Sequence, residues 1–466
     1  MKTWNCTILI VLGVFLAFAE SVLAQPVPLR VRKSFSSLTD EELAAFKKGV
    51  EVMKSRPDDD PTSWQFQANM HGMLAQPTSE LHRQCQHGTP YFFAWHRGYL
   101  CYFEKILRKA SGDDKLTLPY WNWTEQTVLP SAFRTPANDS NPLYQSGRTL
   151  NDGSALPSQQ LNFDLRRALG ELDYWRFQQM IEGSPHGAVH VWVGGLMGGV
   201  PTSANDPIFW LHHGNVDRVW DLWLQSSSQR ENPTNSQFLN QKFKYADENG
   251  QTVEVAVRDI LSSSQLGYRY DDIPQPSEIT TVAMESTNND TIATSVSGFE
   301  AAGSKNLAFE DKKLNLSFSD GGKAKFEAAT SADSKEKISV KITGIEFKER
   351  PVFTYGVYIN LDEGENNQER SMQHYVGTIN FFGADHAHGQ GEATDKHKFD
   401  AILDVTGTIA NLRSSGNWDP AKVSVTLRPI APVAPKGKEE EKKQFYVESA
   451  KKAELTYEKV EVLTDR

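Results

Sequence analysis

The chain holds 466 residues, with 59 acidic against 49 basic side chains, a net charge of −10 and three cysteines. An acidic balance spread along the chain leaves no basic face for a polyanion, which argues against nucleic acid as a partner. Three cysteines are too few for a disulfide-stapled scaffold, so each has to be accounted for singly.

Residues 1–24 carry the pattern of a signal peptide: Lys2, an apolar run from Ile8 to Phe18, and Val22-Leu23-Ala24 before Gln25. The run falls short of the roughly 20 residues that cross a bilayer. No later segment is long and apolar enough to span, so export without a membrane anchor is expected. Cys6 leaves with this peptide, and Cys85 and Cys101 remain.

The next signal is a histidine triplet, His71, His87 and His96, with separations of 16 and 9 and Pro90 inside the second interval. Nine residues of unbroken helix would put His87 and His96 on opposite faces. Convergence therefore needs His87 on a loop and His96 on a following helix, predicted over Tyr91 to Lys109. A second triplet begins after Ser184-Pro185, a good helix start that places His186 and His190 on one face. Its third member comes from a helix opened by Asp206-Pro207. The neighbours His212 and His213 point about 100° apart on that helix, so only one of them reaches the same ion. Six neutral imidazoles and no carboxylate favour a transition metal, copper above zinc or iron, and two ions rather than one.

Near Ile273-Pro274-Gln275-Pro276 the composition changes. Ten of eleven tryptophans and eight of twelve histidines lie before this point. A polar linker over 275–289 is expected, followed by short β-branched segments over 340–347, 352–361, 376–382, 401–409 and 423–427 that predict an antiparallel β-sandwich over 290–430. After the Pro432–Pro435 stretch, the mixed charges of Lys436–Lys443 read as a solvated linker within a charged tail over 431–466, whose final stretch is open to weak pairing as helix or strand.

Two stretches are long enough to carry a family resemblance. Pro90-Tyr91-Phe92-Phe93-Ala94-Trp95-His96-Arg97, followed by Leu118-Pro119-Tyr120-Trp121-Asn122-Trp123, resembles the first copper region of tyrosinases. Pro185-His186-Gly187-Ala188-Val189-His190-Val191-Trp192, then Asp206 to His213 through Asn215-Val216-Asp217-Arg218-Val219-Trp220, resembles the second copper region of plant-type polyphenol oxidases. Leu266-Gly267-Tyr268-Arg269-Tyr270 is similar to the tyrosine motif that closes the family's catalytic domain.

The resemblance implies an α+β multidomain protein, with residues 25–274 forming a mainly helical domain whose four-helix bundle holds a type 3 copper pair. His71, His87 and His96 would bind one copper and His186, His190 and His213 the other, with His212 beside the site and Phe209 packed on it. Glu182 stands where relatives hold a water near the coppers. Gly187 and Val191 occupy positions that modulate phenol deprotonation, and Val200 replaces a bulky phenylalanine gate. Cys85-X-His87 matches the thioether of fungal tyrosinases and molluscan haemocyanins; a Cys85–Cys101 disulfide is the rival. The implied activity is oxidation of o-diphenols, with some monophenol oxidation open, to o-quinones by dioxygen. A haemocyanin-like dioxygen carrier is the alternative. The β domain would shield the site.

Overall fold

A computed structural model describes residues 28–273, 294–299, 305–318, 321–384, 397–420 and 422–465. The expected signal peptide and linker fall outside the described residues. Among the described residues, the first domain is built on the helices α1 (Asp40–Lys54), α2 (Trp64–His71), α3 (Phe92–Ser111), α4 (Ser158–Gly170), α5 (Tyr174–Ile181), α6 (Ala188–Val193) and α7 (Pro207–Gln225), with a short further helix at Ser236–Asn240. Their starts follow from side-chain chemistry. Thr39 and Glu42 form a reciprocal capping box on α1, Ser63 caps α2, Asp173 caps α5 and Asp206 caps α7 ahead of Pro207. Gly112, left-handed at φ 75°, ends α3.

One local expectation is corrected. Pro185 does not open a regular helix, because Ser184 is extended at φ −149°, ψ 129°, and Glu182–Gly187 forms a wide turn; the α-helix begins at Ala188.

Beneath the bundle, α3 and α7 are joined by buried charge. Arg97 donates to Asp217 at 2.5 Å and to Asp221 at 2.6 Å, while Arg32 donates to Glu104 at 2.7 Å and to Asp217 at 3.2 Å. The hydroxyls of Tyr268 and Tyr270 also donate to Asp217, at 2.6 and 2.5 Å. Their strand, Tyr268–Tyr270, pairs in parallel with Arg30–Arg32. The tyrosine motif therefore completes the partner set of a buried carboxylate, which would otherwise be costly to desolvate.

The second domain is an antiparallel sandwich with its own core. A four-stranded sheet runs in the order 375–379, 354–359, 424–430, 312–315, and a larger sheet is built around Lys337–Phe347, with 397–404 and 459–465 along its sides. The tail expectation fails here. Glu439–Ala453 is a helix that buries Tyr446, Ala450 and Ala453, and Lys459–Asp465 pairs with both 337–347 and 294–299. Most charges of that run are exposed at or before that helix, while Lys442 pairs with Asp152 of the first domain at 3.0 Å; Val460 and Val462 alternate inward from a strand whose other described residues are polar or half-buried.

The four-stranded sheet faces the helices. Tyr358, Leu361, Tyr375 and Ile430 join the helical core, and Trp192 Nε1 donates to the Ile430 carbonyl at 3.1 Å. Asp164 on α4 receives the hydroxyls of Tyr375 at 3.1 Å and Thr378 at 3.0 Å from the sheet, together with Ser184 at 2.5 Å from the wide turn.

Candidate metal centre

The histidines meet at the centre of the bundle. His71 is the last residue of α2, His87 lies on the irregular segment before α3, and His96 is in the second turn of α3. His186 sits on the wide turn, His190 on α6, and His212 and His213 on α7. They form two groups, His71-His87-His96 and His186-His190-His212-His213, within each of which the ligand atoms lie within 4.8 Å of one another.

Main-chain carbonyls orient four of these rings. His71 Nδ1 lies 3.1 Å from the Val200 oxygen, His96 Nδ1 2.7 Å from Phe92, His186 Nδ1 2.9 Å from Glu182, and His190 Nδ1 2.9 Å from Met197. A carbonyl only accepts, so each Nδ1 carries the hydrogen and each Nε2 presents a lone pair inward. The Nε2 atoms of His96 and His186 are buried with no hydrogen-bond partner, and those of His190 and His213 approach to 3.3 Å. Burial holds His186 down at about 4 and His96, His190 and His213 well below the usual histidine value. Neutral nitrogen lone pairs packed face to face, with no carboxylate in either group, fit soft-to-borderline transition metal ions.

The paired histidines differ in what they face. The His213 ring stacks on His96 at 4.4 Å and 12° and lies 6.1 Å from His71, so it borders the first group. His212 meets His190 at 4.7 Å and His186 at 5.3 Å, with Trp123 at 6.5 Å. Phe209 packs on His213 at 4.2 Å and on His71 at 4.8 Å.

Glu182 joins the two halves: its Oε1 accepts the Gly88 N–H at 2.6 Å, one residue beyond His87, and its carbonyl orients His186. Burial, outweighing that hydrogen bond, pushes its carboxyl up to about 8.

The common central domain of tyrosinase matches residues 61–162 and 137–226, the polyphenol oxidase middle domain matches 232–278, and a domain of unknown function matches 288–440. A tyrosinase of Hahella sp. (strain CCB-MM4) is 30% identical over 86% of this chain and 95% of its own length. The chain belongs to the tyrosinase family. The latent form of a chloroplastic polyphenol oxidase of Prunus armeniaca is 29% identical over 86% of this chain and 73% of its own. A structure of latent apple tyrosinase, 24% identical, aligns with a TM-score of 0.58 over 95% of this chain and 99% of the other. The shared fold is a helical core followed by a β domain. Family membership makes this protein a copper oxidoreductase acting on phenols, with two copper ions as its cofactor, and the two histidine groups fit that pair.

The remaining family positions are placed as follows. Val191 and Val200 are buried beside the ligands, and Gly187 is buried in the turn. No disulfide joins Cys85 to Cys101 in this structure. Cys85 packs on the helical core, and burial pushes its thiol up to about 12.

Sequence reading missed Phe382 and Asn380. Phe382 lies parallel to His190 at 3.8 Å and 13°, with its edge towards His186 at 5.4 Å and His87 at 5.7 Å. The adjacent Phe381 is buried in the β core. With Phe381 turned into the β core, the adjacent Phe382 is turned out of it onto the histidines, and two successive aromatics before Gly383 were the available signal.

Proposed function

We infer that this chain is an exported, latent polyphenol oxidase that oxidises o-diphenols to o-quinones. The observation that carries this is Phe382, an aromatic ring of the β domain lying flat on His190 where a phenol ring would stack. His71, His87 and His96 hold one copper, and His186, His190 and His213 the other; His213 is chosen over His212 because it alone of the pair borders both groups. The copper pair supplies the two-electron exchange between the diphenol and dioxygen.

The chain's own residues do the rest. Burial keeps the ligand imidazoles neutral, while the main-chain carbonyls and Phe209 hold their orientation. Glu182, made a stronger base by burial, takes a hydroxyl proton from the substrate, directly or through a water at its carboxylate. Neither Gly187 nor Val191 can accept a proton, which favours diphenols over monophenols. Val200, smaller than phenylalanine, leaves a wide entrance once Phe382 is gone. A thioether between Cys85 and His87 tethers the one ligand that is on a loop. Export follows from residues 1–24; no helix among the described residues is long and apolar enough to cross a membrane.

The test is a steady-state comparison of a catechol and its matching monophenol on copper-loaded protein cleaved at a protease site introduced within 275–289. Faster turnover of the catechol is expected. A monophenol rate equal to or above it would refute the diphenol preference, and reversible dioxygen uptake with no quinone would establish the carrier instead.

A further inference from the structure

We propose that Gly187 is the seat of the shield and that Asn380 is the residue seated there: the bare backbone at 187 lets the β domain carry Phe382 onto His190. Seating requires that the β domain shields the site, as inferred above.

The backbone at Gly187 does not itself call for glycine, since φ −62° and ψ −35° are ordinary helical values open to any residue. Space does. A Cβ placed there would lie 2.5 Å from Asn380 Oδ1, 2.9 Å from its Cγ and 3.0 Å from its Nδ2, and all three atoms belong to the β domain. Asn380 cannot easily retreat, because it is bonded on both sides. Its Nδ2 donates to the Gly183 carbonyl at 2.6 Å, and its Oδ1 accepts the Phe382 N–H at 3.0 Å. One amide thus grips the turn that carries His186 and also shapes the chain that aims Phe382. Tyr375 and Thr378, in the strand that leads to Asn380, hold Asp164, which also receives Ser184 of that turn. The segment from Tyr375 to Asn380 therefore follows the 183–187 turn, and at 187 it leaves no room for a Cβ. A side chain at this position, whatever it does to substrate choice, is incompatible with the closed arrangement.

The experiment compares o-diphenol oxidation by the copper-loaded full chain before and after cleavage within 275–289, in wild type, Gly187→Ala, Asn380→Gly and the double variant, with copper content measured for each. In wild type the intact rate should be low and rise on cleavage. Gly187→Ala should raise the intact rate roughly ten-fold towards its own cleaved rate, the scale set by losing about one buried hydrogen-bond pair. The same substitution added to Asn380→Gly, where the space is already free, should change the ratio of intact to cleaved rate little. Should Gly187→Ala fail to retain copper, Asn380→Ala, which touches no ligand, decides: it should raise the intact rate several-fold. A wild-type chain that is fully active when intact overturns the shield and the seat together. A latent wild type whose ratio is unmoved by Gly187→Ala and Asn380→Ala overturns the seat alone.

Discussion

The helical domain and the β domain approach the same centre in different ways. Four imidazoles are oriented by carbonyls of the helical domain itself, from Val200, Phe92, Glu182 and Met197. The β domain reaches in with the turn that follows strand 375–379, and among the described residues it is Phe382 that lies on the ligand rings. Ligand geometry is thus built by many local bonds, whereas access depends on a contact one strand wide. Chemistry and latency should therefore be separable by substitution.

The sharpest way to break that separation lies inside the helical domain. His213→Ala should reduce oxidation to background and remove copper from the second site, while His212→Ala should retain both ions and lose at most about ten-fold in rate, as expected for a neighbour rather than a ligand. Metal analysis with a catechol assay checks both, and loss of copper from His212→Ala would exchange the two roles.

Next in size is the charge network that fixes α3 against α7. Asp217→Ala leaves two buried guanidinium groups without their shared partner and should cost about 3–5 kcal/mol, read as a lower denaturation midpoint. Burial works against the ionised form of Asp217, but Arg97 and Arg32 outweigh it and hold the carboxyl below its ordinary value. Its depressed value means that the contribution is present above the ordinary carboxylate range and is lost as pH falls through the folded value. Wild type should therefore lose stability in strong acid through a group that the variant no longer has.

On the β side, Phe382→Ala should raise the rate of the intact chain roughly ten-fold or more, since a buried aromatic contact is removed from the closed form alone. Copper content should not change. The smallest effect concerns His87. A Cys85–His87 thioether predicts that the denatured protein is lighter by two hydrogens after full reduction, and Cys85→Ser should lower the catechol rate by only a few-fold. Recovery of both free thiols by mass and alkylation would remove the thioether from the account.

Much of the helical domain was legible because its signals are local. Asp206-Pro207 marks the start of α7 within its own sequence, and Pro90 forces the break between His87 and His96. Glu182–Gly187 was less so, because its turn depends on the extended conformation at Ser184, which Asp164 supports through the Ser184 hydroxyl. Non-local pairing hid the rest. Lys459–Asp465 reads as charged when taken alone and becomes an interior strand only when 337–347 and 294–299 flank it. Likewise Phe382 has no meaning within its own domain; its role exists only when the two domains are docked.

The most direct test of that docking is the rate of catechol oxidation by the copper-loaded full chain before and after cleavage within 275–289. A docked shield gives a low rate that rises on cleavage with the copper content unchanged. Equal rates before and after, with both coppers present, would contradict it.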